Sequence, residues 1–233
     1  MTAKTPLVLL PGLLCDEDLW AHQAETLADI ADITIADMTR DDTIKAMADR
    51  ALAAAPVTFA LAGLSMGGYA AQEIMRQAPE RVERLALLDT SARADSPEQK
   101  KHRAGLIDQL SLGDFRGVTS RLLPLLIHPD RLADDELTDR VKASARSVGP
   151  EAYVRQQRAV MSRPDGRKDL KKIKCPALVL CGRQDALTSV DLHEEMAAGI
   201  ANAKLVIIED CGHLAPLERP DAVSAAMRDW LSA

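Results

Sequence analysis

Ser65 sits between two glycines in Gly63-Leu64-Ser65-Met66-Gly67, with Gly68 directly after. The apolar run "VTFALAG" leads in and the helix-like run "YAAQEIMRQ" leads out. After a strand, Gly-x-Ser-x-Gly marks a turn that exposes a nucleophilic serine. The turn forces the serine into strained backbone geometry, and small flanking residues keep neighbouring chain from clashing with it. The helix that follows offers N–H groups and a partial positive charge to an oxyanion. The glycines fit neither phosphate-cradling pattern: no Gly-Lys-Ser/Thr follows, and the spacing is not G-x-G-x-x-G.

A serine hydroxyl is a weak nucleophile and needs a base. Of the five histidines, His22, His102, His128, His193 and His213, only His213 directly follows a predicted strand, in "LVIIEDCGHLAPLERP". That base needs a carboxylate to hold its working tautomer. Two acids follow strands: Asp89 in "LALLDTSA" and Asp185 in "ALVLCGRQDAL". Asp185 is preferred, because its strand neighbours in sequence the one before His213. Asp89 is the alternative, and it can instead cap its own turn. Cys211, two residues before His213, does not form zinc-site spacing with Cys175 and Cys181, so no metal is expected. Cys15, near the loop after the first strand, suggests sensitivity to thiol reagents.

Such a constellation works only if strands and helices carry it. Short, nearly continuous apolar runs at 7–10, 33–36, 58–62, 85–88, 177–181 and 205–208 read as parallel strands covered on both faces. Helical stretches lie between them, near 18–28, 43–55, 66–77, 190–198 and 221–231. The alternation predicts right-handed crossovers and a doubly wound, mainly parallel six-stranded sheet of α/β class. Ligands in such sheets bind outside the carboxyl ends of the strands. Residues 93–165 contain no convincing strand and read as helices at 97–110, 114–127, 134–148 and 151–161. In the second, apolar residues at 115, 118, 122, 125 and 126 would share one face. The reading is a core of residues 1–92 and 166–233 with a helical cap insertion at 93–165.

The chain has 233 residues, enough for one large α/β domain, and 47% of them are hydrophobic. Its net charge of −6, from 29 basic and 35 acidic side chains, is scattered. This argues against nucleic acid and leaves a small-molecule substrate as the expected partner. No apolar run approaches the ~20 residues that span a bilayer. "MTAKTPLVLLPG" does not read as a signal peptide. Four scattered cysteines read as free thiols in a reducing cytoplasm.

"LPGLLCDEDLW", "GLSMGG", "LVLCGRQD" and "CGHLAPLERP" together resemble the α/β-hydrolase superfamily, in its compact bacterial esterase and lactonase-like branch. The resemblance spans nearly the whole chain, while 93–165 matches only in position, as a helical cap. It implies the order Ser65, Asp185, His213 and one oxyanion N–H from Met66. The second would come from the loop after the first strand, from Leu13 or alternatively Leu14. Where the family commonly has His-Gly in that loop, this chain has Pro11-Gly12. The family's N-terminal antiparallel hairpin is lacking, which implies a trimmed sheet.

The expected activity is hydrolysis of carboxylic esters through an acyl-enzyme, without a cofactor. With only two Phe, two Trp and two Tyr in the chain, an aliphatic pocket for small to medium acyl groups is expected. An enol-lactone or carbon–carbon bond hydrolase, or a cofactor-free perhydrolase, would use the same triad. A catalytically silent receptor or scaffold on this fold is the alternative of another class.

Overall fold

The computed structural model describes residues 4–111 and 117–232. Its strands are β1 (Thr5–Leu10), β2 (Ala31–Ile35), β3 (Phe59–Leu64), β4 (Val82–Leu88), β5 (Ala177–Gly182) and β6 (Ala203–Ile208). They form one sheet in the order β2-β1-β3-β4-β5-β6, with every pairing parallel. Every residue of β3 and β5 is buried, as continuous apolar runs require. Alternate side chains serve opposite faces. Leu7, Leu9, Ala62, Leu64, Leu88 and Leu180 join one core, and Val8, Leu10, Leu61, Leu87 and Val179 the other.

The helices are α1 (Ala21–Thr26), α2 (Ile44–Ala54), α3 (Met66–Gln77), α4 (Pro97–Ser111), α5 (Leu123–Leu126), α6 (Asp135–Ser162), α7 (Val190–Gly199), α8 (Ala215–Glu218) and α9 (Pro220–Ser232). Ala215, Val223 and Met227 seat α8 and α9 on the first core, and α1 packs on α9. Met47, Ala70, Ile74 and Met196 seat α2, α3 and α7 on the second. The sheet is thus covered on both faces, as a doubly wound topology demands. Among the described residues no helix is long and apolar enough to cross a membrane.

The topology decides where a site can form. The chain leaves β1 for β2 on one side, then crosses back to β3 on the other. The loops after β1 and β3 therefore meet at the point where the winding reverses, the crevice in which such sheets bind ligands.

Between β4 and β5 the helices α4, α5 and α6 fill the stretch expected to be helical, with one correction. The anticipated helix at 114–127 begins in residues outside the described ones. Its described part is not helical until Leu123, and α5 is a single turn. Gly117 adopts a left-handed φ of 59°, which ends any helix there. Pro124 then suits only a first helical turn. The shared apolar face accordingly fails: Val118 and Leu123 are buried, whereas Leu125 is 42% exposed. The two expected helices at 134–148 and 151–161 form α6, broken by Gly149 at φ 75° before Pro150.

Candidate active site

β3 ends at Leu64 and α3 begins at Met66, so Ser65 alone makes the turn. Its backbone sits at φ 53° and ψ −112°, a strained conformation for a non-glycine residue. The surroundings hold it there. The Ser65 N–H donates to Leu88 O at 3.0 Å. The Thr90 hydroxyl donates to Ser65 O at 2.8 Å. The glycines are needed for close approach: a Cβ on Gly63 would lie 2.3 Å from Gly67 O, and one on Gly67 would lie 2.0 Å from Leu10 O.

His213 lies in the loop between β6 and α8 and is almost fully buried. Its Nε2 is 2.9 Å from Ser65 Oγ, and its Nδ1 is 2.8 Å from Asp185 Oδ2. A carboxylate at Nδ1 keeps the proton on that nitrogen, which leaves Nε2 to accept from the Ser65 hydroxyl. Asp185 is fixed in turn. Its Oδ1 accepts from the Leu187 and Thr188 N–H groups at 2.8 and 2.9 Å, and its Oδ2 from the Thr188 hydroxyl at 2.6 Å. Burial pushes the Asp185 carboxyl up, but the charge and hydrogen bond of His213, with the bonds from Thr188, outweigh it and hold Asp185 below its ordinary value.

Asp89 also ends a strand, but its carboxyl faces elsewhere. It accepts from the Gly182 N–H at 3.0 Å and the Ala215 N–H at 3.3 Å. Burial, reinforced by the nearby Asp185 charge, pushes the Asp89 carboxyl well above its ordinary value. Of these two acids Asp185, preferred on sequence, is the one that reaches the histidine.

The loop after β1 leans on the serine turn. A Cβ on Gly12 would meet Leu64 Cδ2 at 3.0 Å. Leu13 follows in this loop, and Met66 opens α3 fully buried. The Leu14 N–H donates to Gln156 Oε1 at 3.0 Å. Among the described residues no protein atom accepts from the Leu13 N–H. Burial and the neighbouring Asp16 charge push the Cys15 thiol up to about 12, which disfavours its thiolate at neutral pH. Among the described residues no group of histidines, cysteines and acids is arranged to hold a metal.

Further residues brace the site. The His213 and Leu214 N–H groups both donate to Leu126 O, at 3.0 and 3.1 Å. Buried Glu218 accepts from the Gly212 N–H at 2.9 Å and the His128 N–H at 2.6 Å. The segment at 126–128 is thereby tied to the histidine loop. His193 Nε2 accepts from the Thr90 N–H at 3.0 Å, steadying the residue that grips Ser65 O. Glu218 was visible in "GHLAPLERP", five residues after His213, yet nothing in that string states what it bonds. Gln156 and Thr90 carry no sequence signal, because their partners are backbone groups far along the chain.

Comparison with known proteins bears on this arrangement. Residues 7–226 match the model of the alpha/beta hydrolase family. Pimeloyl-(acyl-carrier protein) methyl ester esterase of Nitrosomonas europaea is 25% identical over 229 residues, covering 92% of this chain and 91% of that protein. A thermophilic esterase from Thermogutta terrifontis, solved with malate bound, superposes with a TM-score of 0.90 at 30% identity, covering 99% of this chain and 90% of that one. The enol-lactonase of Burkholderia xenovorans LB400 superposes with a TM-score of 0.84 at 25% identity, covering 99% and 92%.

Proposed function

Because the chain belongs to the alpha/beta hydrolase family, we propose that it is a serine hydrolase of carboxylic esters acting through an acyl-enzyme. The observation that carries this reading is the continuous hydrogen-bonded line Ser65–His213–Asp185, at 2.9 and 2.8 Å. Ser65 Oγ attacks the ester carbonyl as His213 Nε2 takes its proton. Asp185 keeps His213 in the required tautomer and stabilises its charged form. The N–H groups of Met66 and Leu13 receive the oxyanion, a type of contact whose loss typically costs about 10²–10³ in rate. His213 then protonates the leaving alcohol, and water, activated by the same histidine, releases the acid.

In this reading residues 93–165 act as a cap over the site. The bonds of Leu126 O to the histidine loop, and of Gln156 to the loop after β1, support it. Leu13, Leu122, Leu126, Val148 and Tyr153 pack against a core containing Leu14, Val118 and Val141. An aliphatic surround of this kind would give an acyl chain entering the site dispersion and burial, at ~0.8 kcal/mol per CH₂. Small to medium apolar acyl groups are therefore the proposed substrates. Four unpaired cysteines fit residence in a reducing cytoplasm.

The similarity to an enol-lactonase favours one second reading, opening of a lactone ring by the same three residues. A panel of p-nitrophenyl esters from acetyl to octanoyl, with enol-lactones of matched size, tests both. Ester turnover with modest discrimination between neighbouring chain lengths supports the first reading. Turnover confined to lactones replaces it with the second, and no turnover of either class contradicts both.

A further inference from the structure

We propose that Gln156 is a positioning residue for the oxyanion loop, an inference that rests on the serine-hydrolase reading. The Cys15 N–H donates to Gly12 O at 3.2 Å, which closes a four-residue turn over Gly12, Leu13, Leu14 and Cys15. Leu14, its third residue, sits at φ 61° while Leu13 does not share the positive φ. This is the type II pattern, which strongly prefers glycine at the third position. A leucine there costs about 1–2 kcal/mol, so the turn needs outside support.

Gln156 supplies that support. It is fully buried on α6. Its Oε1 accepts from the Leu14 N–H at 3.0 Å, while its Nε2 donates to Met38 O at 3.2 Å. The two bonds act together. Because Met38 O takes the NH₂ end, the oxygen end must face Leu14. The Leu13–Leu14 peptide must then present its N–H and not its carbonyl. The alternative type I turn, with that peptide flipped, would set the Leu13 carbonyl against Oε1. The glutamine thus selects one of two peptide orientations. Ser144 braces the same loop, since its hydroxyl accepts from the Asp16 N–H at 2.9 Å and donates to Asp16 Oδ1 at 2.8 Å.

The loop holds two N–H groups that compete as oxyanion donor. The Leu14 N–H is given to Gln156, and the Leu13 N–H is accepted by no protein atom among the described residues. Leu13 is therefore the donor, and Gln156 holds the turn in the shape that presents it. The role is carried by α6, so the segment covering the site also sets its electrostatics.

Gln156→Met keeps the volume and removes the acceptor. Ester kinetics, titration of reactive serine with a fluorophosphonate, and affinity for an alkyl boronic acid, which mimics the tetrahedral intermediate, are measured together. The wild-type protein must first turn over ester and take up phosphonate on Ser65; failure there refutes the serine-hydrolase reading itself. Given that, kcat per reactive serine should fall on the order of 10-fold or more, with KM little changed. Boronic acid affinity should fall by the same factor. A merely structural role would lower the number of reactive serines but leave kcat per serine and boronic acid affinity unchanged, and that result overturns the proposal. If Gln156→Met does not fold, Gln156→Glu carries the test. Its protonated acid makes both bonds, whereas its carboxylate repels Met38 O. Relative to wild type, its boronic acid affinity and kcat should drop as pH rises. A profile parallel to wild type overturns the proposal.

Discussion

The Asp89 carboxyl accepts from the Gly182 N–H at 3.0 Å, across the neighbouring strand ends of β4 and β5. This bond, with the one from Ala215, commits Asp89 to holding chain and not to orienting His213. Asp185→Asn should therefore lower kcat on the order of 10³–10⁴-fold, because an amide favours the wrong histidine tautomer. Asp89→Asn should retain most of its activity per folded molecule. Steady-state ester kinetics on the two variants decide the matter, and a deader Asp89→Asn would move the triad acid to β4.

Asp89 also predicts a pH dependence of stability. Burial raises its folded pKa well above the unfolded value of about 3.9. Between those limits the folded state binds more protons than the unfolded state, so the contribution of Asp89 falls as pH rises. It is fully present below about pH 4 and lost as pH climbs through the raised value. Asp89→Asn lacks that slope. In urea unfolding across pH 4 to 9, its stability should improve relative to wild type as pH increases. A constant difference would show that Asp89 titrates normally.

Glu218 clips the histidine loop to residue 128 through two N–H bonds. In Glu218→Gln the amide oxygen accepts one of them, and the NH₂ group faces the other donor. A stability loss of about 1–3 kcal/mol follows, with a lower kcat and little change in KM. Unfolding curves and kinetics indistinguishable from wild type would remove Glu218 from the account.

Cys15 lies two residues past Leu13, but its thiol is pushed up to about 12. Iodoacetamide at neutral pH should leave ester turnover unchanged over an hour, with no carboxamidomethyl group on the Cys15 peptide. Rapid inactivation that tracks Cys15 modification would show an accessible thiolate instead.

Local patterns carried much of the fold and part of the site. The inner strands were visible because parallel strands buried on both faces leave few polar interruptions, as in "LVLL" and "ALVLC", whereas the edge strands β2 and β6 are only partly buried. Ser65 stood out because its glycines answer a steric demand between Gly63 and Gly67. Asp89 and Asp185 could not be separated with certainty by pattern, because both follow strands and the difference lies in a side-chain direction. The stretch at 114–127 misled because apolar spacing suggested a helix while Gly117 and Pro124 favoured a turn. Gln156 and Glu218 were illegible for another reason. Each bonds backbone groups, one of them 142 residues away in the case of Gln156, and no residue type at the partner position betrays that.

Ser65 is the proposed nucleophile, its Oγ 2.9 Å from His213 Nε2. Intact-mass spectrometry after treatment with a fluorophosphonate tests it most directly. The wild-type protein should gain one adduct, mapping to Ser65. Ser65→Ala, with an unchanged unfolding midpoint, should gain none and lose ester turnover by several orders of magnitude. An adduct forming on Ser65→Ala at the wild-type rate, or turnover surviving in it, would contradict the account.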